Sequence, residues 1–263
     1  RANGGYYLAS RDFELAELKL LVDAVQSSKF ITKKKSTELI KKIEKLTSVY
    51  EAKKLQRQVY VKNRIKTDNE SIYYNIDDIH SAIMNNNKIK FQYMDWTISK
   101  ELKPRKNGQW YEVSPYALIW AEERYYLVGY SSMEKEIRHY RVDKIGKISI
   151  LKELRKGMDN PGTFDVAAYS NKVFGMYGGK TEVVTISFPQ KLIGVFLDRF
   201  GKEIDIRQRE EDMLSVRIHV ALSGQFYGWL AGLGKEVTIL APEMVKEDYC
   251  NYLKEVLENN MRK

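Results

Sequence analysis

The chain has 263 residues, 43% of them hydrophobic and 30% charged, with a formal net charge of +9. That is enough for two modest domains, each with its own core, and the composition is that of a globular chain rather than a disordered one. No apolar run approaches the roughly 18 residues that span a bilayer, no cationic segment leads into an apolar one near the start, and a cytoplasmic protein is expected.

The charge is concentrated between Lys29 and Lys66, where thirteen Lys or Arg face three Glu. Within it Lys33, Lys34, Lys35, Lys41 and Lys42 form an electrostatic patch suited to nucleic-acid phosphates. The competing reading is a solvated helix face that only keeps the chain soluble.

Taken in order, the chain opens on the glycine pair Gly4-Gly5 and a short aromatic strand, Tyr6-Tyr7-Leu8. Phe13, Leu15, Leu18, Leu21, Val22 and Val25 recur at helical spacing, with Ser10 or Asp12 as N-cap. A second amphipathic helix is predicted over residues 32–49, with Leu39, Ile40, Ile43 and Leu46 on one side and lysines on the other. A third covers 71–87 and breaks at Asn85-Asn86-Asn87. Residues 88–93 (KIKFQY) read as a strand, and 100–105 and 110–113 as strands around the Asn107-Gly108 turn.

Three aromatic-rich strands follow, at 113–120, 125–130 and 137–142, separated by Ala121-Glu122-Glu123 and Ser131-Ser132. Alternation divides the third. Tyr140 and Val142 are expected to face the core, which sends His139 and Arg141 to the opposite surface, with Arg138 near the strand entrance.

After a glycine-bearing stretch (Gly175 to Gly179), strands and helices alternate. The pattern is strand 182–188, helix 189–200, hairpin 203–209 and 213–221, helix 225–233, strand 235–240 and helix 242–258. Strand-helix-strand-strand-helix-strand is the ferredoxin-like order.

The blocks Pro115-Tyr116-Ala117-Leu118, Tyr125-Tyr126-Leu127 and Arg138-His139-Tyr140-Arg141-Val142-Asp143-Lys144-Ile145 resemble, in order and spacing, those of the WYL-domain transcriptional regulators. Tyr125 replaces the usual tryptophan and Lys144 the commoner arginine, which keeps the charge without the bidentate fork. The run Trp229-Leu230-Ala231-Gly232-Leu233-Gly234-Lys235-Glu236-Val237, with Pro242-Glu243, resembles the extension that follows WYL domains. The resemblance implies an α+β chain divided at 1–70 (wing-strand remnant and helical dimerisation region), 71–155 (a small β-barrel of Sm or SH3 type), 156–180 (linker) and 181–263 (ferredoxin-like extension). It also implies a homodimer, a ligand groove lined by the basic residues of the third strand, and a winged-helix DNA-reading head, absent from this sequence, that would carry the contact with DNA.

The candidate ligand site is Ser114, Tyr116, Tyr126, Arg138, His139 and Arg141. Guanidinium forks suit phosphate, hydroxyls suit sugar or phosphate oxygens, and aromatic faces suit bases. A nucleotide or single-stranded nucleic acid is therefore the expected effector. In the alternative arrangement Tyr116 and Tyr126 fill the core, while Arg138 and Arg141 pair with Asp143 or Glu136.

Catalysis is not expected. Residues 175–181 (GMYGGKT) have three residues where a phosphate loop needs four, with a strand after them rather than a helix, so an interdomain linker accounts for the glycines. The histidines His80, His139 and His219 lie far apart and form no metal set. Cys250, the lone cysteine, is expected to pack in the last helix. No cofactor is implied. Two rivals to the regulator reading are a constitutive RNA- or DNA-binding module using the lysine-rich helices and an enzyme acting on nucleic acid.

Overall fold

The computed structural model describes residues 12–55, 66–157, 169 and 172–262, so the expected wing strand at Tyr6-Tyr7-Leu8 lies outside the described residues.

The first helix, α1 (Leu15–Ser27), starts later than its apolar stripe, with Glu14 at the N-cap position. The Glu14 amide donates to the Glu17 carboxylate at 2.8 Å, so Asp12 is not the cap. The helix expected over 32–49 is two, α2 (Lys33–Glu44) and α3 (Val49–Leu55). Thr32 caps α2 by accepting from the Lys35 amide at 3.1 Å. Leu18, Val22 and Leu55 form a small core against Leu15, Ile40 and Ile43, while Leu46, expected on that apolar face, is exposed beyond the end of α2.

Helix α4 (Ile72–Met84) roofs a sheet made of β1 (Asn87–Trp96), β2 (Leu102–Pro104), β3 (Trp110–Ala121), β4 (Arg124–Ser131), β5 (Glu136–Arg141) and β6 (Ile145–Leu154). All pairings are antiparallel, in the order β2-β1-β3-β4-β5, with β6 on β1. The expected barrel is thus not closed. The chain passes from β5 to β6 through a single 3-10 turn, Val142–Lys144, and the gap between these strands is not laddered. Ile72, Ile79 and Ala82 of α4 fill the concave side together with Phe91, Val113, Leu127, Tyr140 and Val142. Asn75, buried in α4, ties helix to sheet by donating to the Ile145 carbonyl at 2.8 Å.

The C-terminal unit consists of β7 (Thr181–Pro189), α5 (Ile193–Phe200), β8 (Asp205–Glu210), β9 (Met213–Ala221), α6 (Gly224–Gly232), β10 (Thr238–Ala241) and α7 (Glu243–Met261). Its sheet runs β10-β7-β9-β8, antiparallel throughout. Val184, Ile186 and Phe188 alternate inward from β7 to meet Phe196, Phe226 and Leu230 of the helices. Cys250, expected to be packed, is exposed on α7, because the helix buries only Val245 completely. Among the described residues no helix is long and apolar enough to cross a membrane.

Candidate functional site

The convex side of the β3–β4–β5 sheet carries Ala117, Ile119, Tyr126, Val128 and Ile137, and Met176 and Tyr169 pack onto it. Strand alternation sends Tyr140 and Val142 into the core under α4, leaving His139 and Arg141 on this outer side, as their spacing predicts. Beside them a cleft of ≈ 1210 Å³ opens between the edge strand β5, the β1 end and residues 175–180. Because β5 is the sheet edge, Arg138 also reaches the cleft from the other side of the strand.

The cleft is cationic on balance. Arg105, Arg138, Arg141, Lys144 and Lys180 line it, against Asp95, Glu122 and Glu136. Several of these cations are held. Arg141 donates from Nε to Asp143 Oδ1 at 3.0 Å and from Nη2 to Oδ2 at 2.6 Å, and this pairing raises its pKa further. Arg124 joins the same carboxylate at 2.7 Å. Arg138, half exposed, pairs with Glu136, and Lys144 with Asp95 at 3.1 Å. The ion pairs of the alternative arrangement therefore form, yet the groove beside them stays open.

The aromatic residues divide. Tyr126 is buried among the convex apolar side chains and also lines the cleft, next to its cross-strand partner Arg141. Burial pushes its hydroxyl pKa up, and Arg141 opposes that. Tyr93, from β1, has its pKa pushed up to about 12 by burial and accepts from the Arg141 amide at 3.1 Å. His139 Nε2 lies 2.7 Å from the Tyr169 hydroxyl, and burial lowers its pKa.

Ser114 and Tyr116 are not in the cleft. Ser114 accepts from the Lys156 amide at 2.8 Å and Tyr116 donates to the Lys156 carbonyl at 2.6 Å, so both clasp the chain leaving β6. Pro115 pairs with Gly129, whereas Tyr126 pairs with Ile119 nearer the far end of the hairpin. At about 3.3 Å per residue, Ser114 lies roughly 16 Å along β3 from Ile119. The sequence grouped them with Tyr126 in one site and could not show which segment covers that end of the strand.

Sequence reasoning missed Tyr93, Asp95, Arg105, Lys144 and Tyr177, all of which line the cleft. Lys144 was visible in the strand motif. The others come from β1, the β2 end and the segment before β7, which only the tertiary arrangement brings there. Lys33, Lys34, Lys41 and Lys42 are exposed, but Lys35 turns inward, 4.7 Å from the centre of the Tyr73 ring.

Two of the glycines of 175–179 are required, one by its backbone conformation and one by a close contact. Gly175 has φ +57°, and a Cβ on Gly179 would lie 2.0 Å from the Leu222 carbonyl oxygen.

The sequence matches the WYL domain over residues 74–150 and the WCX domain over residues 180–257. No curated protein matches it. Among solved structures it is similar to proteasome accessory factor B/C (PafBC) of Arthrobacter aurescens, with 13% identity and a TM-score of 0.33, over 94% of this chain and 36% of that one. It is also similar to a CRISPR Cas-related protein, with 16% identity and a TM-score of 0.43, over 84% of this chain and 61% of that one. This chain thus spans about a third and about three fifths of the lengths of those two. On its two domain matches, which fall on the two sheet-bearing units, the chain belongs to the WYL-domain family, with a WCX domain following the WYL domain.

Proposed function

We propose that this chain is the effector-sensing and dimerising part of a bacterial transcription regulator, in which the cleft takes a nucleotide or a short single-stranded nucleic acid. The divisions are 1–70, 71–155, a linker at 156–180 and 181–263, the last being ferredoxin-like in its strand order. The bent sheet of the WYL unit is an opened relative of an Sm or SH3 barrel. The observation that carries the reading is the open cleft in which Arg105, Arg138, Arg141 and Lys144 stand beside Tyr93, Tyr126 and Tyr177. Such a set offers charge-assisted hydrogen bonds to phosphate and rings to bases. No enzymatic step is assigned to it. Regulation requires that the ligand bind one arrangement of the units more tightly than another, and a homodimer carrying a DNA-reading head would convert that difference into DNA affinity.

Fluorescence anisotropy with a labelled six-residue oligothymidylate tests the cleft. Arg138→Ala and Arg141→Ala should each weaken binding about tenfold or more, since a charge-assisted contact contributes roughly 1.5 to 3 kcal/mol. Unchanged affinity in both variants removes the reading.

A second reading, a constitutive nucleic-acid module, is favoured by the exposed Lys33, Lys34, Lys41 and Lys42 of α2. It requires a steep salt dependence that disappears when those lysines are replaced.

A further inference from the structure

The turn at residues 174–177 is pinned from two sides. Phe174 is buried in the core of the WCX unit, with the Arg199 guanidinium 4.3 Å from its ring centre. Two residues on, Met176 is buried against Tyr126 and Val128 on the WYL sheet. The backbone between them is a tight reversal, with Gly175 and Met176 both at φ +57° and the Tyr177 amide donating to the Phe174 carbonyl at 2.9 Å. On the other side Gly178 rests on His139, where an added Cβ would come 3.7 Å from Cε1, and Gly179 abuts the Leu222 carbonyl.

Phe174 and Met176 are thus each anchored in a core, while Tyr177 between them and the exposed glycines is 58% exposed and lines the cleft. A large ring held out of two adjacent cores by a rigid turn costs little further ordering when it meets a flat ligand. The next residue, Gly178, lies beside His139, the neighbour of Arg138 on β5 and two residues from Arg141. Phosphate-binding forks next to a preorganised exposed ring are the two halves of a nucleotide contact.

We propose that Tyr177 stacks on a nucleobase, so that the cleft selects base-bearing ligands over bare phosphodiesters. This rests on the nucleic-acid reading of the cleft and assigns its base-reading element to the segment joining the two domains rather than to the strand motif. A base bound there would also bridge the WYL sheet and the WCX entry strand.

Two labelled six-unit probes separate the possibilities: oligothymidylate, and an abasic tetrahydrofuran phosphodiester of equal length. The wild-type chain should prefer the base-bearing probe by at least about fivefold, the lower end expected for one stacked base. Tyr177→Ala should abolish that preference, Tyr177→Phe should retain it, and Arg138→Ala should weaken both probes alike. A preference that survives in Tyr177→Ala, or a wild-type chain that binds both probes equally, overturns the stacking role alone. Failure of the wild-type chain to bind either probe overturns the cleft reading and the stacking with it.

Discussion

Arg141 and Asp143, two residues apart at the end of β5, share two hydrogen bonds of 3.0 and 2.6 Å, so the guanidinium best placed for a ligand is already occupied by a carboxylate. Asp143 accepts from Arg124 as well. An anionic ligand must either replace this carboxylate or bind the remaining face of the fork.

Asp143→Asn tests the competition. Removing the negative charge frees Arg141 and Arg124, so oligothymidylate affinity should rise severalfold. Stability should fall by about 1–3 kcal/mol, because a largely buried charge-assisted network is lost. Titration by anisotropy and urea denaturation read the two effects. An unchanged affinity means that the pair does not gate the ligand.

His139 should impose a pH dependence on stability. Burial holds its pKa below the ordinary 6.5, against a smaller opposing effect from a hydrogen bond with the Met176 backbone. The unfolded chain then binds more protons than the folded one between the two pKa values, so the stabilisation is present above about 6.5 and is lost as pH falls through 6.5 toward the folded value. Urea midpoints measured from pH 7.5 to 5.5 should decline more steeply in the wild-type chain than in His139→Asn. Parallel slopes would assign the decline to other groups.

Gly129→Ala should destabilise the WYL sheet. The added Cβ would sit 2.5 Å from Val113 Cγ1 and 2.7 Å from the Ser114 carbonyl oxygen, on the facing strand β3. Overpacking of this kind costs about 1–3 kcal/mol. Thermal unfolding should shift downward by several degrees, and an unchanged midpoint would show that the strands can part without penalty.

Much of the architecture was legible because side-chain alternation and turn residues are local. The opposite burial of Tyr140 and His139 follows from period two alone, and Glu122-Glu123 does form the predicted turn, with both residues at positive φ. The succession of strands and helices from β7 onward likewise follows from runs that each bury one side. Less legible was β6, whose IGKISILKEL lacks the aromatic content of its neighbours and pairs with β1 across more than fifty residues of chain.

What the sequence alone determined was which residues share a strand and how they alternate between its two sides. It placed Tyr126, Arg138, His139 and Arg141 together, and these four do line one cleft. Only the tertiary structure decided what lies along each side. Residues 155–157 cover Ser114 and Tyr116, Asp143 occupies Arg141, and a turn fixed by Phe174 and Met176 carries Tyr177 to the opening. Those outcomes depend on contacts between segments distant in sequence, for which strand period supplies no rule.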